Sequence, residues 1–500
     1  MDKRSGFTLT IFQQKYLHQG ADEIQAVIRV TATPGDEPGD EGTGPGTAGA
    51  AEVIIVDCSS SMARPRPKLL AARRAASAAI DAMRDGTEFA VLSGRYDAAM
   101  VYPSSPTLAR ATPETRAEAK GAVKRLDADG LTRISSWLAM AAQLLRPHQG
   151  LIRHTMLFTD GKNQHESQDG TLDRVLSACR GMFTCDVRGI GDEWEPSDLL
   201  KIASVLHGRA DGLPDVADLE HDFRAMMHEA MRKVVPDVGL RIRPVPGVTV
   251  LELRQLHPVD ADLTEQGEPA EAPAKRYWIG SWGGETRDYL VRLAAPADGF
   301  RQQADVPLAL VDITVRGADG SHQAVLAEPG FVLAHWTTDP QTRTRLPVDS
   351  YADQREIGHA ITAGCHAWLA GQSGKAEEAW GTAVRLATET DDEDRLSLLV
   401  PLVEVLDPVT GKVRLRDPIS RADVLRAETR SVTTTIVVTE EASQPPRPPL
   451  PRPSAPPPRP EGRPTCPRCD RISPAGARFC EKCGLPRGAD SAGAWAEADE

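Results

Sequence analysis

The sequence predicts an α/β fold: a doubly wound, mostly parallel sheet, followed by a β-rich domain, a short helical segment and a cysteine-bearing C-terminal module. Three observations predict it. Between residue 52 and about residue 235, short β-branched runs alternate with segments of helical period, as in a parallel sheet covered on both faces. From about 236 to 339 the helical period disappears, and apolar runs separated by turn residues replace it. The 3.6-residue period then returns around 360–406, ahead of a proline-dense stretch.

In chain order, residues 7–32 alternate apolar and polar side chains, most clearly at Ile24, Ala26, Ile28 and Val30, and read as an edge strand of a first domain spanning 1–235. Residues 34–50 are Gly, Pro, Asp, Glu and Thr without apolar periodicity, an acidic loop expected to be disordered. Strands follow at 53–56, 89–92, 99–102, 155–158 and 185–190, with helices at 68–83, 113–126, 135–145, 172–179, 197–206 and 218–234. The β-rich domain covers 236–345, with strand signals at 240–242, 248–253, 289–293, 308–315 and 324–326. Helices occupy 352–406, with Gly371 and Gly374 at an inter-helix turn; residues 368–398 loosely resemble a tetratricopeptide-like pair, which alone forms no solenoid and must pack on a neighbour. Residues 407–442 form a Thr-rich extension, 443–465 a Pro-rich linker, 466–484 the cysteine module and 485–500 a disordered tail. Eleven prolines in 445–464 favour polyproline II, a semi-rigid spacer of about 3.1 Å per residue.

Composition narrows the function. With 58 basic against 71 acidic residues the formal charge is −13, which repels phosphate backbones, so nucleic acid is not the expected main partner. No apolar segment of signal-peptide length opens the chain and no run reaches the roughly 18 residues of a membrane span, so a soluble, cytoplasmic protein is expected.

The apolar run 53–56 ends in Asp57, Cys58, Ser59, Ser60 and Ser61, just past the carboxyl end of a buried strand, where ligands bind in open α/β sheets. In an extended loop Asp57, Ser59 and Ser61 can converge while Cys58 and Ser60 turn away. Carboxylate and hydroxyl oxygens suit Mg²⁺, which takes about six oxygen ligands and keeps some of its waters. Thr132, directly before a helix, and Asp160, after the strand at 155–158, bring the set to five donors from three loops. The plainer reading is helix capping by Asp57–Ser61 side chains. A serine nucleophile would need Gly-x-Ser-x-Gly, and a phosphate loop Gly-x₄-Gly-Lys-Ser/Thr; neither occurs, so no catalytic residue is assigned and no enzyme is expected. Lys162, Asn163 and His165 follow Asp160 and read as an exposed polar rim able to select a ligand.

This arrangement resembles the von Willebrand factor A-type domain with its metal-ion-dependent adhesion site, over roughly residues 20–235. Asp57, Ser59 and Ser61 match its Asp-x-Ser-x-Ser element, Thr132 its central threonine, and Asp160 the acid of Thr-Asp-Gly. The resemblance implies a Rossmann-like fold, coordination of Mg²⁺ by these residues, and a vacant position for a partner's carboxylate. Leu131 departs from the family's usual Gly-Gly-Thr.

Cys466, Cys469, Cys480 and Cys483 form two Cys-x₂-Cys pairs, four soft thiolates suited to tetrahedral Zn²⁺. They resemble the short zinc ribbons that end many bacterial proteins; a filled four-thiolate shell implies a structural ion. Residues 429–435, with Thr429, Thr433, Thr434 and Thr435, read as a further strand or as a phosphorylation segment for a phosphothreonine reader. Together these readings give a bacterial, non-enzymatic adaptor or scaffold for signalling or stress response, whose metal binds acidic groups of protein partners. Two alternatives are an accessory subunit presenting substrates to a MoxR- or chelatase-like AAA+ ATPase, and a nucleic-acid-associated factor acting through the ribbon.

Overall fold

Alternation against continuity in the apolar pattern decides which sheet each strand joins. The chain opens with β1 (Phe7–Gln13), β2 (Tyr16–His18) and β3 (Glu23–Ala32), whose burial alternates or nearly so. Then comes β4 (Ala50–Asp57), buried at every position. After a 3-10 turn at Ser60–Ala63 follow α1 (Pro67–Ala82), β5 (Glu88–Gly94), β6 (Ala98–Tyr102), β7 (Ala109–Arg110), α2 (Pro113–Val123), α3 (Ile134–Leu145) and β8 (Ile152–Thr159). The layer closes with α4 (Thr171–Cys179), β9 (Thr184–Ile190), α5 (Pro196–Val205), β10 (Ala210–Leu213) and α6 (Leu219–Met231). The computed structural model describes residues 6–33, 49–63, 67–163, 166, 170–213, 215, 217–317, 321–324, 327–338 and 347–434.

These strands line up as β10-β9-β8-β4-β5-β6, parallel through β5, with β6 antiparallel at the edge and β7 also pairing β5. One sheet face buries Ile54 and Val56 under α1 and α6, with Ala76 and Phe223 in the contact. The other buries Val53 and Ile55 under α3 and α5, with Trp137 and Leu199. A strand covered on both faces has no polar side to show, so β4 and β8 are buried at every position and carry continuous apolar stretches at 53–56 and 156–158.

Downstream, β11 (Val238–Pro244), β12 (Thr249–His257), β13 (Ala261–Asp262), β14 (Gly267–Pro269), β15 (Lys275–Trp278), β16 (Glu285–Ala294), β17 (Val306–Arg316), β18 (His322–Ala324) and β19 (Gly330–Thr337) complete two further sheets. Their orders are β1-β3-β16-β12-β13 and β14-β15-β11-β17-β19-β2, with β18 also pairing β17. They share one core of Ile28, Val30, Leu240, Tyr289, Val311 and Trp336, a sandwich. Here the expectation for residues 7–32 is corrected: β3 lies between β1 and β16 inside this sandwich, not at the edge of the α/β sheet. Its alternation of Ile24, Ala26, Ile28 and Val30 marks an antiparallel strand facing a sandwich core, a pairing fixed by residues more than 250 positions away.

The remainder is α7 (Pro347–Leu369), α8 (Ser373–Glu389), α9 (Glu393–Leu399), the hairpin β20 (Val403–Asp407) and β21 (Lys412–Leu415), and α10 (Arg421–Arg430). Gly371 takes φ +73° between α7 and α8, while Gly374 falls inside α8. At Gly364 a Cβ would lie 2.3 Å from the Trp380 ring, so glycine lets α7 and α8 approach. The strand-or-phosphorylation reading of 429–435 is also corrected, at two of its threonines. Residues 421–430 are helical, and the buried Thr429 and Thr434 hydroxyls donate to the carbonyls of Leu425 and Leu256, both at 2.8 Å, leaving those two neither in a strand nor exposed for phosphorylation. The chain divides into Met1–Val438 and Thr439–Glu500; the second unit, holding linker 443–465, cysteine module 466–484 and tail 485–500, lies outside the described residues, as does most of the 34–50 loop. Among the described residues no helix is long and apolar enough to cross a membrane.

Candidate metal centre

Parallel pairing of β4 with β8 places Val56 beside Phe158, so the residues just beyond, Asp57 with Thr159 and Asp160, meet at the carboxyl ends of two neighbouring strands. The loop after β4 is pinned from several sides: Cys58 N donates to Gly94 O (2.8 Å), Asp129 N to Cys58 O (2.8 Å), and Ser60 N to Gly130 O (2.9 Å). Ser60 Oγ accepts from Gly130 N at 3.1 Å, so Ser60 and Cys58 serve the backbone and leave Ser59 and Ser61 facing the cleft. Gly130 takes φ +95°, a conformation glycine adopts without strain.

The five sequence-predicted donors come together. Ser59 Oγ and Ser61 Oγ are 2.9 Å apart, and Ser61 Oγ donates to Asp160 Oδ1 at 2.6 Å. Asp57 accepts from Ser59 N at 2.7 Å and Thr159 Oγ1 at 2.6 Å. Thr132 joins through Gly161: a Cβ placed there would lie 3.0 Å from Thr132 Oγ1, 3.2 Å from Ser61 Oγ and 3.8 Å from Ser59 Oγ. Three hydroxyls from two loops thus border one small space, which glycine keeps open. Burial pushes the Asp57 carboxyl up to about 6, against the opposing bonds from Ser59 and Thr159. A fully buried carboxylate with only neutral donors, beside clustered hydroxyls, is a donor set that fits a hard divalent cation.

Around this centre opens a cleft of 660 Å³ bordered by Ser59, Ser61, Leu131, Lys162, Glu193 and Arg421 among others. Leu131, the family departure, is exposed at its mouth and leaves the Thr132 hydroxyl in place. The expected polar rim divides. Lys162 is exposed and paired with Glu195 at 2.5 Å, whereas Asn163 is buried and its Oδ1 accepts from Ile134 N at 3.4 Å; His165 lies outside the described residues.

Sequence reasoning missed four contributors. Thr159 holds Asp57, and Gly161 makes the room; both belong to the Thr-Asp-Gly element and could have been drawn from it. Glu166 receives Ser135 N (3.1 Å), Ser135 Oγ and Arg133 Nε (3.3 Å), fixing the start of α3 and with it Thr132. Lys68 donates to Asp160 Oδ2 at 2.9 Å, and no spacing in the sequence announces it. The four described cysteines, Cys58, Cys179, Cys185 and Cys365, are buried free thiols; burial pushes Cys58 up to about 12, so none resembles a reactive thiolate.

Comparison with known proteins agrees with this architecture. Residues 51–211 match the von Willebrand factor type A domain, and residues 385–431 the von Willebrand factor type A C-terminal domain. An uncharacterized protein from Synechocystis sp. is 26% identical over 221 residues, 43% of this chain and 51% of that protein, so the chain spans about half the length of this relative. The ArnB paralog VWA2 from Sulfolobus acidocaldarius shares the fold at 13% identity, with TM-score 0.50 over 85% of this chain and 98% of that one. A solved von Willebrand factor type A protein from Catenulispora acidiphila is 35% identical, with TM-score 0.77 over 87% of this chain and 98% of that chain. Matched across nearly the whole of that relative, the chain belongs to the von Willebrand factor type A family.

Proposed function

We propose that the cleft is a Mg²⁺-dependent binding site and that the protein is a non-enzymatic adaptor capturing acidic groups of partner proteins. The observation that carries this reading is the convergence of Ser59, Ser61 and Thr132 hydroxyls on the space beside Gly161, flanked by Asp57 and Asp160. Ser59 and Ser61 would hold the ion directly, Thr132 and the two carboxylates would complete its shell directly or through water, and the open cleft leaves a position for an outside carboxylate. Family membership supports protein–protein interaction as the general role; the acidic partner is the finer proposal. The cysteines Cys466, Cys469, Cys480 and Cys483 are proposed to hold a structural Zn²⁺ in a ribbon carried by the linker.

Affinity capture from host extract with full-length protein, in Mg²⁺ against EDTA, tests the reading. Partners should be retained in Mg²⁺, released by EDTA, and absent with Asp57→Ala at unchanged thermal stability. Capture indifferent to both would reject it. Equimolar zinc in the same preparations, lost on Cys466→Ser, checks the ribbon.

A further inference from the structure

The Asp160 carboxylate is shared between the cleft and a buried cation. Ser61 Oγ holds its Oδ1 at 2.6 Å, while Lys68 Nζ holds its Oδ2 at 2.9 Å. Lys68 arises in the first turn of α1, and the pair is enclosed, with side-chain exposures of 7% and 0%. Gly191, at φ +75°, makes space for the lysine: a Cβ there would approach its Cε to 3.3 Å. The ammonium is therefore packed against the acid, where solvent screens it weakly.

Formal charge at the centre then has a definite sequence. Asp57 and Asp160 contribute −2 and Lys68 +1, so the metal-free centre carries −1 and the Mg²⁺-loaded centre +1. A partner's carboxylate brings it to zero. Nearby rim charges pair with one another, Lys162 with Glu195 and Arg133 with Glu166, and Arg421 stands beside Asp192 and Glu193 at the outer edge. Without Lys68 the loaded centre would already be neutral, holding the ion more tightly and attracting an acid less.

We infer that Lys68 is a built-in counter-cation that shifts the centre's preference from ion to acid, weakening the ion alone and strengthening the acid's hold on the loaded centre. This rests on the metal-dependent reading above and specifies its regulation.

The test uses the full chain and calorimetric titration with magnesium chloride, with and without sodium acetate as the acid probe, at constant ionic strength. Lys68→Met and Lys68→Gln should bind Mg²⁺ about tenfold more tightly than wild type without acetate, and the gain in Mg²⁺ affinity on adding acetate should shrink. Lys68→Arg, which keeps the charge, should behave as wild type. Thermal melts identify any variant that is unfolded, and two neutral variants guard against one failing to fold. If wild type binds Mg²⁺ but both folded neutral variants bind it equally or more weakly, or keep the full acetate effect, Lys68 is a structural pin and the inference is overturned. If wild type binds no Mg²⁺, the metal reading fails and this one with it.

Discussion

Gly161 is where a single side chain decides the chemistry of the centre. Its backbone does not require glycine, since its φ lies outside the positive range, but the space beside it does: a methyl group would sit 3.0 Å from Thr132 Oγ1 and 3.2 Å from Ser61 Oγ. Gly161→Ala should therefore leave the fold intact and weaken Mg²⁺ binding by at least about tenfold, since the methyl intrudes where an ion of ~2.1 Å coordination distance must approach those oxygens. A magnesium titration beside a thermal melt checks it; unchanged affinity in a folded variant would show that the hydroxyls face an ion from elsewhere. At this scale the sequence announced Asp57, Ser59, Ser61, Thr132 and Asp160, because their spacing places oxygen donors at strand ends. It concealed Lys68, because a lysine opening a helix looks like any surface lysine until the loop carrying Gly191 closes over it.

At the scale of elements, one pairing, β4 with β8, organises both ends of the sheet. Five residues before Asp57, Glu52 lies in register with His154, and His154 Nδ1 meets the Glu52 carboxylate at 2.9 Å while Nε2 reaches Asp186 on β9 at 3.3 Å. These charges sit at the ends of strands that read as apolar, so the strands were legible and their buried ionic ends were not. Likewise the α/β layer was legible from local alternation of strand and helix, whereas the partnership of β3 with β16 depends on contacts that no local window contains. Burial alone would lower the His154 imidazole, but the flanking carboxylates raise it to about 10. Because this folded value exceeds the ordinary unfolded value of about 6.5, its contribution to stability is complete below about pH 6.5 and is lost as pH rises through 10. His154→Gln, which leaves the buried Glu52 carboxylate without its cation, should cost about 3 kcal/mol at pH 6.5 and less at pH 10. Urea unfolding at the two pH values measures the difference; a pH-independent cost would contradict the assigned charge.

For Met1–Val438 as a whole, the α/β layer, sandwich and helical elements are tied by charges that none of them could bury alone. Arg153 on β8 places Nη2 2.8 Å from both oxygens of Asp237, the residue preceding β11, with exposures of 4% and 5%. At the other end, α10 packs on α5 and β10 through Leu425, and Arg421 donates to the carbonyl of Asp192 at 2.8 Å, so the C-terminal elements supply part of the wall of the metal cleft. The sandwich is thus joined to the foot of the sheet and α10 to its head, so the proposed metal centre is expected to be insensitive to the first joint and dependent on the second. Asp237→Ala isolates the first. It leaves a buried guanidinium unpaired and should destabilise by about 3 to 5 kcal/mol, while Asp237→Asn, which keeps an acceptor and tolerates the positive φ of 49° at this position, should cost less. Magnesium affinity of both folded variants should stay at the wild-type value, because the bridge lies at the strand ends opposite Asp57 and Asp160. Calorimetric melting with a magnesium titration checks both halves: lost affinity at intact stability would mean that the sandwich acts on the cleft through the sheet, and a small stability loss would mean that water replaces the missing carboxylate.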